Sequence, residues 1–77
     1  MDINSVVLNS FTKCTNKAID LHTLISTLEL DSLDTISILV DIEKDLDVKL
    51  SEEIVADIST LSIQQLSDSI VAQVSSN

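Results

Sequence analysis

The first place in this chain where chemistry could occur is a serine set between acids. Ser32 stands in the run Asp31-Ser32-Leu33-Asp34. Asp31 has the side chain of a good helix N-cap, and Asp34, three residues on, occupies the reciprocal position of a capping box. Both acids suit the positive end of a helix dipole. A hydroxyl at such a loop–helix junction projects outward, beside backbone N–H groups with no partner within the helix. Nothing in the sequence activates it: the one histidine, His22, lies in an apolar stretch, and there is no Gly-x-Ser-x-Gly elbow. Covalent chemistry at Ser32 therefore needs activation from outside.

Three other features invite a chemical reading and lose it. Asp41, Glu43, Asp45, Asp47 and Glu52 have the spacing of calcium ligands in an EF-hand loop, with Val48 at the apolar position. The sixth position, which needs Gly for the sharp turn, is Leu46, and the run is better used as the end of a core-facing helix. His22 reads as a loop residue, since a second histidine is lacking for a metal site. Cys14, the only cysteine, falls on an apolar helical stripe and reads as a small hydrophobe with no internal disulfide to form.

The elements that position Ser32 follow from periodicity. From about Asp2 to Thr15, Ile3, Val6, Val7, Phe11 and Cys14 recur at helical spacing, with Asp2 or Asn4 as cap. Residues 16–31 form a long connection too apolar to be a free linker, so it must pack onto the bundle, with one turn near His22–Thr27. A second helix opens at Asp31 or Ser32 and runs to about Leu46. Ile38, Leu39, Ile42 and Leu46 make its buried stripe. Leu33, Ile36 and Val40 make a second stripe, which either widens the core-facing arc or stays exposed as a docking surface rimmed by acids. Ser51 caps a short helix from Glu52 to Ile58, with Ile54, Val55 and Ile58 inward, and Ser59–Ser62 break it. The last helix runs from about Ile63 to Val74 with Ile63, Leu66, Ile70, Val71 and Val74 on one face. Ser75, Ser76 and Asn77 should fray. The expected architecture is all-α: one domain over 1–77, a four-helix bundle with a short third helix and a long loop between the first two helices.

Composition sets the limits. The chain has 77 residues, one aromatic and neither Gly nor Pro, which disfavours a sheet of hairpins. Such a length leaves no room for a deep cleft with its own catalytic apparatus, so the chain is not read as an enzyme. Its formal charge is −9, and residues 29–57 hold ten of its thirteen acids against Lys44 and Lys49 alone. That balance speaks against nucleic acid and anionic membranes as partners, and for basic protein surfaces. With no basic-then-apolar leader and no apolar run of spanning length, the expectation is a cytoplasmic monomer without stable membrane insertion.

The stretch Leu28-Glu29-Leu30-Asp31-Ser32-Leu33-Asp34 resembles the leucine-rich loop and Asp-Ser-Leu motif of acyl carrier proteins, and the likeness extends across Leu24 to Ile70. In that family the serine carries a 4'-phosphopantetheine arm, taken from coenzyme A by a phosphopantetheinyl transferase, and acyl intermediates ride on it as thioesters. The resemblance implies that Ser32 is the attachment point and that Asp31 helps hold Mg²⁺ and coenzyme A in the transferase complex. It implies that Leu33, Ile36 and Val40 are apolar contacts, and that Asp34, Asp41 and Glu43 face basic patches on acyl-processing enzymes of fatty acid, polyketide or specialised lipid synthesis. An acyl chain could lodge between the second and third helices, near Ile42, Ile54 and Ile58. An aminoacyl or peptidyl carrier uses the same arm, and an acidic helical adaptor without a prosthetic group would share the fold. Strong acidity and the Asp34-Thr35 continuation favour an acyl cargo. The chain departs from the family's usual pattern at Glu29, where Gly is usual, at Ser37 and Lys44, where acids are usual, and by one extra residue between Leu61 and Leu66. Because positive φ is costly for Glu, the backbone at residue 29 is expected to differ from the family's or the loop to be stiffer.

Overall fold

The computed structural model describes residues 2–75. Helix α1 spans Ile3–Thr12, α2 Ser32–Leu46, α3 Glu52–Asp57 and α4 Ile63–Ser75, with 3₁₀ turns at Ile25–Leu28 and Ile58–Thr60. Among the described residues there is no strand; the one bridge pairs Leu24 with Ser62. The all-helical bundle with a short third helix is as expected. Ser76 and Asn77, expected to fray, lie outside the described residues, and Ser75 still belongs to α4.

Asp2 caps α1, its carboxylate accepting from the Asn4 N–H at 3.2 Å and from the Ser5 hydroxyl at 2.9 Å. The helix stops at Thr12, three residues earlier than the periodicity predicts. Its last turn tightens through a bond from the Cys14 N–H to the Phe11 carbonyl at 3.0 Å. Cys14 thus leaves the helical stripe and packs half-buried at the edge of the core.

α1 packs against both α2 and α4, and α3 packs against α4. Val7, Phe11, Ile38, Ile42, Ile63, Leu66 and Ile70 form the sealed centre. Ile25 and Leu28 from the long connection close one side, and Leu50, Ile54 and Ile58 close another. Three valines predicted to face inward do not. Val55 lies about 100° round from Ile54, and a six-residue helix has only one buried face. Val71 sits at the edge of the α4 arc and Val74 in its last turn, so both are exposed, while Ser67 takes a buried place instead.

The long connection is fastened to the start of α4. The Ile25 N–H donates to the Leu61 carbonyl at 3.0 Å, the Ile63 N–H to Thr23 at 3.0 Å and the Gln64 N–H to Leu21 at 2.8 Å. Two of the orphan donors that open α4 are therefore satisfied by loop carbonyls. Gln65 and Ser62 satisfy others reciprocally: the Gln65 N–H donates to the Ser62 Oγ at 3.1 Å and the Ser62 N–H to the Gln65 Oε1 at 2.8 Å. This is a capping box that sequence reading passed over, although Ser-x-x-Gln before an apolar stripe is its signature.

Candidate attachment site at the start of helix α2

Ser32 is the first residue of α2, and Asp31 is its N-cap in extended conformation. Asp31 Oδ1 accepts from the Asp34 N–H at 2.8 Å, and the Asp31 carbonyl accepts from the Thr35 N–H and the Thr35 hydroxyl, both at 3.0 Å. The cap thus fixes where the helix begins and holds Ser32 at its mouth. Ser32, Asp31 and Leu33 are all exposed.

The loop before them ends in a left-handed residue. Glu29 follows the 3₁₀ turn with φ 54° and ψ 39°. The backbone therefore takes the conformation that favours Gly, and it does so with a glutamate in place. A different local backbone or a stiffer loop was the expectation; the backbone does not differ, and the fold imposes the turn on a residue that pays for it in Cβ–carbonyl crowding. The Lys17 ammonium donates to the Thr27 carbonyl at 3.0 Å and ties the same segment to the start of the long connection.

Of the two apolar stripes on α2, one is core and one is not. Ile38, Leu39 and Ile42 are buried, whereas Leu33 is 75% exposed, Ile36 56% and Val40 41%. That answers the question left open by the pattern: the second stripe faces solvent. Asp34 is half-buried at its rim.

Asp41 and Glu43, grouped with the docking acids from sequence, both have work inside the fold. Asp41 Oδ2 accepts from the Ser10 hydroxyl at 3.0 Å and from the Lys13 ammonium at 3.1 Å, joining α1 to α2. The Lys13 hydrogen bond, then that of Ser10, holds the Asp41 carboxyl below the usual carboxylate range, and the Asp41 carboxylate in turn raises Lys13. Glu43 Oε2 accepts from the Leu50 N–H at 2.8 Å, while the Glu43 carbonyl accepts from Val48 at 3.1 Å. Glu43 thereby fastens the α2–α3 connection, where Asp47 adopts φ 54° to end the helix. Gln73 of α4 closes the same connection from the other side, donating to the Lys49 carbonyl at 2.7 Å and accepting from the Ser51 N–H at 2.8 Å. Sequence reading missed Ser10, Lys13 and Gln73, because partners 22 to 31 residues apart leave no periodic trace. The acids with calcium-loop spacing do not form a loop: Asp41, Glu43 and Asp45 lie within α2. His22 is an exposed turn residue whose N–H donates to Asp20 Oδ1 at 2.8 Å.

The family described as "phosphopantetheine attachment site" matches residues 6–70, nearly the whole chain. The chain belongs to that family. It is a carrier protein of the acyl carrier type, and the family bears 4'-phosphopantetheine covalently on a serine. Comparison with curated proteins and with solved structures gave no match. For such a carrier the start of α2 fits an arm well. The hydroxyl is exposed, the helix N-terminus favours an anionic phosphodiester, and the neighbouring Leu33 leaves open surface beside it. The family's domain is a carrier domain and not a catalytic one.

Proposed function

We propose that this carrier bears its arm on Ser32 and presents acyl groups to the enzymes of fatty acid, polyketide or specialised lipid synthesis. The observation that carries the reading is the placement of Ser32: exposed, at the first position of a capped helix, inside the Asp31-Ser32-Leu33 run. When bound, phosphopantetheine supplies a terminal thiol that holds the acyl group as a thioester. The chain's own residues contribute position and recognition. Asp31 holds the helix start rigid through its cap, and its remaining carboxylate oxygen is available to a Mg²⁺–coenzyme A complex in the transferase. Leu33, Ile36 and Val40 offer apolar contacts to an incoming enzyme, with Asp34 at their rim to meet a basic group. Asp41 and Glu43 act there mainly by holding α2 in place.

The dominance of acids over lysines and the Asp34-Thr35 continuation support an acyl cargo over an aminoacyl or peptidyl one. A monomer fits the same charge, since like-charged copies repel. Incubation with a phosphopantetheinyl transferase and coenzyme A, read by intact mass, tests the assignment. One phosphopantetheine should be gained by the wild type and none by Ser32→Ala with its helical circular dichroism intact. Modification of Ser32→Ala at another serine, or no modification of the wild type, overturns it. Mass spectrometry of the protein from its native host then identifies the cargo.

A further inference from the structure

A groove of about 380 Å³ lies between α3 and α4 and takes no lining residue from α2. Ile54, Leu61 and Ala72 give it an apolar floor. Glu53 and Asp57 line it from α3, and Ser69 and Gln73 from α4. Residues four apart lie about 6 Å apart along one helix face, so each helix sets a pair of side chains along the groove. The two acids burden the fold. Glu52 and Glu53 complement the positive end of the α3 dipole, but Asp57 is the last residue of that helix, where a carboxylate meets the negative end. Glu53 and Asp57 also repel each other as a like pair four residues apart. Both are exposed, and neither has an ion-pair partner among the described residues. No lysine lines the groove, and the Gln73 amide is engaged with Lys49 and Ser51. The counter-charge these acids call for is not supplied from within.

We infer that this groove takes a helix of a partner protein, which sets one apolar side chain on Ile54, Leu61 and Ala72 and two lysines or arginines, one turn apart, against Glu53 and Asp57. Charge complementarity chooses the occupant. Two carboxylates one turn apart match two cations at the same spacing on a helix, and their arrival relieves both the like-charge pair and the acid at the wrong end of α3. A second copy of the chain is disfavoured, because strongly anionic copies repel and no helix of the chain carries two lysines one turn apart. A bare acyl chain is disfavoured by the carboxylates that would lose water beside its methylenes. The inference goes beyond the carrier reading. The groove shares no residue with Ser32 or with the Leu33, Ile36 and Val40 stripe, so a partner bound there leaves the arm and the outer face of α2 free. It is a holding site, where the carrier stays bound while its arm is loaded or unloaded elsewhere.

The test uses a synthetic helical peptide with a leucine between two lysines one turn apart, and a second with glutamate in place of each lysine. Each is titrated into the isotopically labelled, unmodified protein and followed by amide shifts. The lysine peptide should perturb amides at 51–61 and 69–73, and the glutamate peptide should not. Glu53→Gln combined with Asp57→Asn should weaken the lysine peptide about three- to ten-fold. Asp34→Asn combined with Asp45→Asn removes as much charge from α2 and should change the affinity by less than about two-fold at physiological salt. Ala72→Leu fills the floor without touching charge and should weaken binding by about three-fold or more. Asp57→Asn alone should raise the urea midpoint, and a fall would show that the acid serves the fold and overturn the inference. Shifts centred on residues 33–44, equal effects of the two double variants, or equal affinity for the two peptides also overturn it. So does spermidine giving the same shifts at the same concentration, because a free polyamine then owns the groove, and so does a wild-type dimer in sedimentation that Ala72→Leu dissolves. Loading of Ser32 by a transferase should proceed at an unchanged rate with the lysine peptide saturating, and its loss would overturn the holding role. Failure to load without peptide strikes the carrier reading alone.

Discussion

Replacing Glu29 with glycine should make this protein more stable, against the usual direction of a random substitution. Glu29 holds φ 54° and ψ 39°, a conformation in which Cβ crowds the following carbonyl and which costs about 1–2 kcal/mol for a residue with a side chain. The carboxylate offers nothing in return: it is exposed and makes no hydrogen bond or ion pair among the described residues. Glycine removes the crowding but loses about 0.5–1 kcal/mol through its greater freedom in the unfolded chain. The net gain is about 0.5–1 kcal/mol, or a rise in Tm of roughly 2–8 °C for a domain of this size. The chain has no Trp or Tyr, so urea and thermal unfolding are followed by far-ultraviolet circular dichroism of the helices. Glu29→Gln is the control that removes the charge and keeps Cβ. A Glu29→Gly protein no more stable than wild type, or a Glu29→Gln protein that gains as much, would refute backbone crowding as the cause. The second outcome would assign the gain to relief of repulsion among the crowded acids. Because residue 29 lies three positions before Ser32, the same variant also reports, through its rate of phosphopantetheine loading, whether a softer loop presents the serine as well.

Other expected outcomes follow from single contacts. Ser67 is fully buried and its hydroxyl has no hydrogen-bond partner among the described residues, so Ser67→Ala should raise stability by about 1 kcal/mol in urea titrations; a loss of similar size would mean the hydroxyl is satisfied in solution. Ser62→Ala removes one half of the α4 capping box and should cost about 1 kcal/mol, with Gln65→Ala adding less than its own single effect when the two are combined. Asp41 has a folded pKa lowered by Lys13 and Ser10, so its contribution to stability is present above the unfolded carboxylate pKa and lost as pH falls through the folded one. Asp41→Asn should therefore lose less stability than wild type between neutral pH and pH about 3. Lys13, whose pKa is raised, loses its contribution only as pH climbs past the ordinary lysine range, so Lys13→Met should leave the acid side less steep and remove that alkaline loss. Parallel acid unfolding profiles for wild type and Asp41→Asn would show that the contact is not made in solution.

Much of this protein was legible before any coordinates. Asp31 as cap, Ser32 as the opening residue of α2 and the division of α2 into two stripes are local properties. Side chains one to four residues apart determine them, and helical periodicity records them directly. The same locality explains the family resemblance around Ser32 and the acidic character of the second and third helices. The burial of Ile54 and Ile58 without Val55 belongs to the next level, since period alone cannot say how wide an arc the bundle will cover.

What only the tertiary structure decided is where the distant polar groups go. The sequence shows Asp41 and Glu43 as members of an acidic run; folding turns one toward Ser10 and Lys13 on α1 and the other toward the Leu50 backbone. Folding also places Glu29 in a left-handed turn against its own preference, because the packing of Ile25 and Leu28 and the bonds that fasten residues 21–25 to the start of α4 fix the path of the chain on one side, and the capped α2 fixes it on the other. Local preference is worth about a kilocalorie per residue, and a junction held from both sides by buried apolar groups can override it.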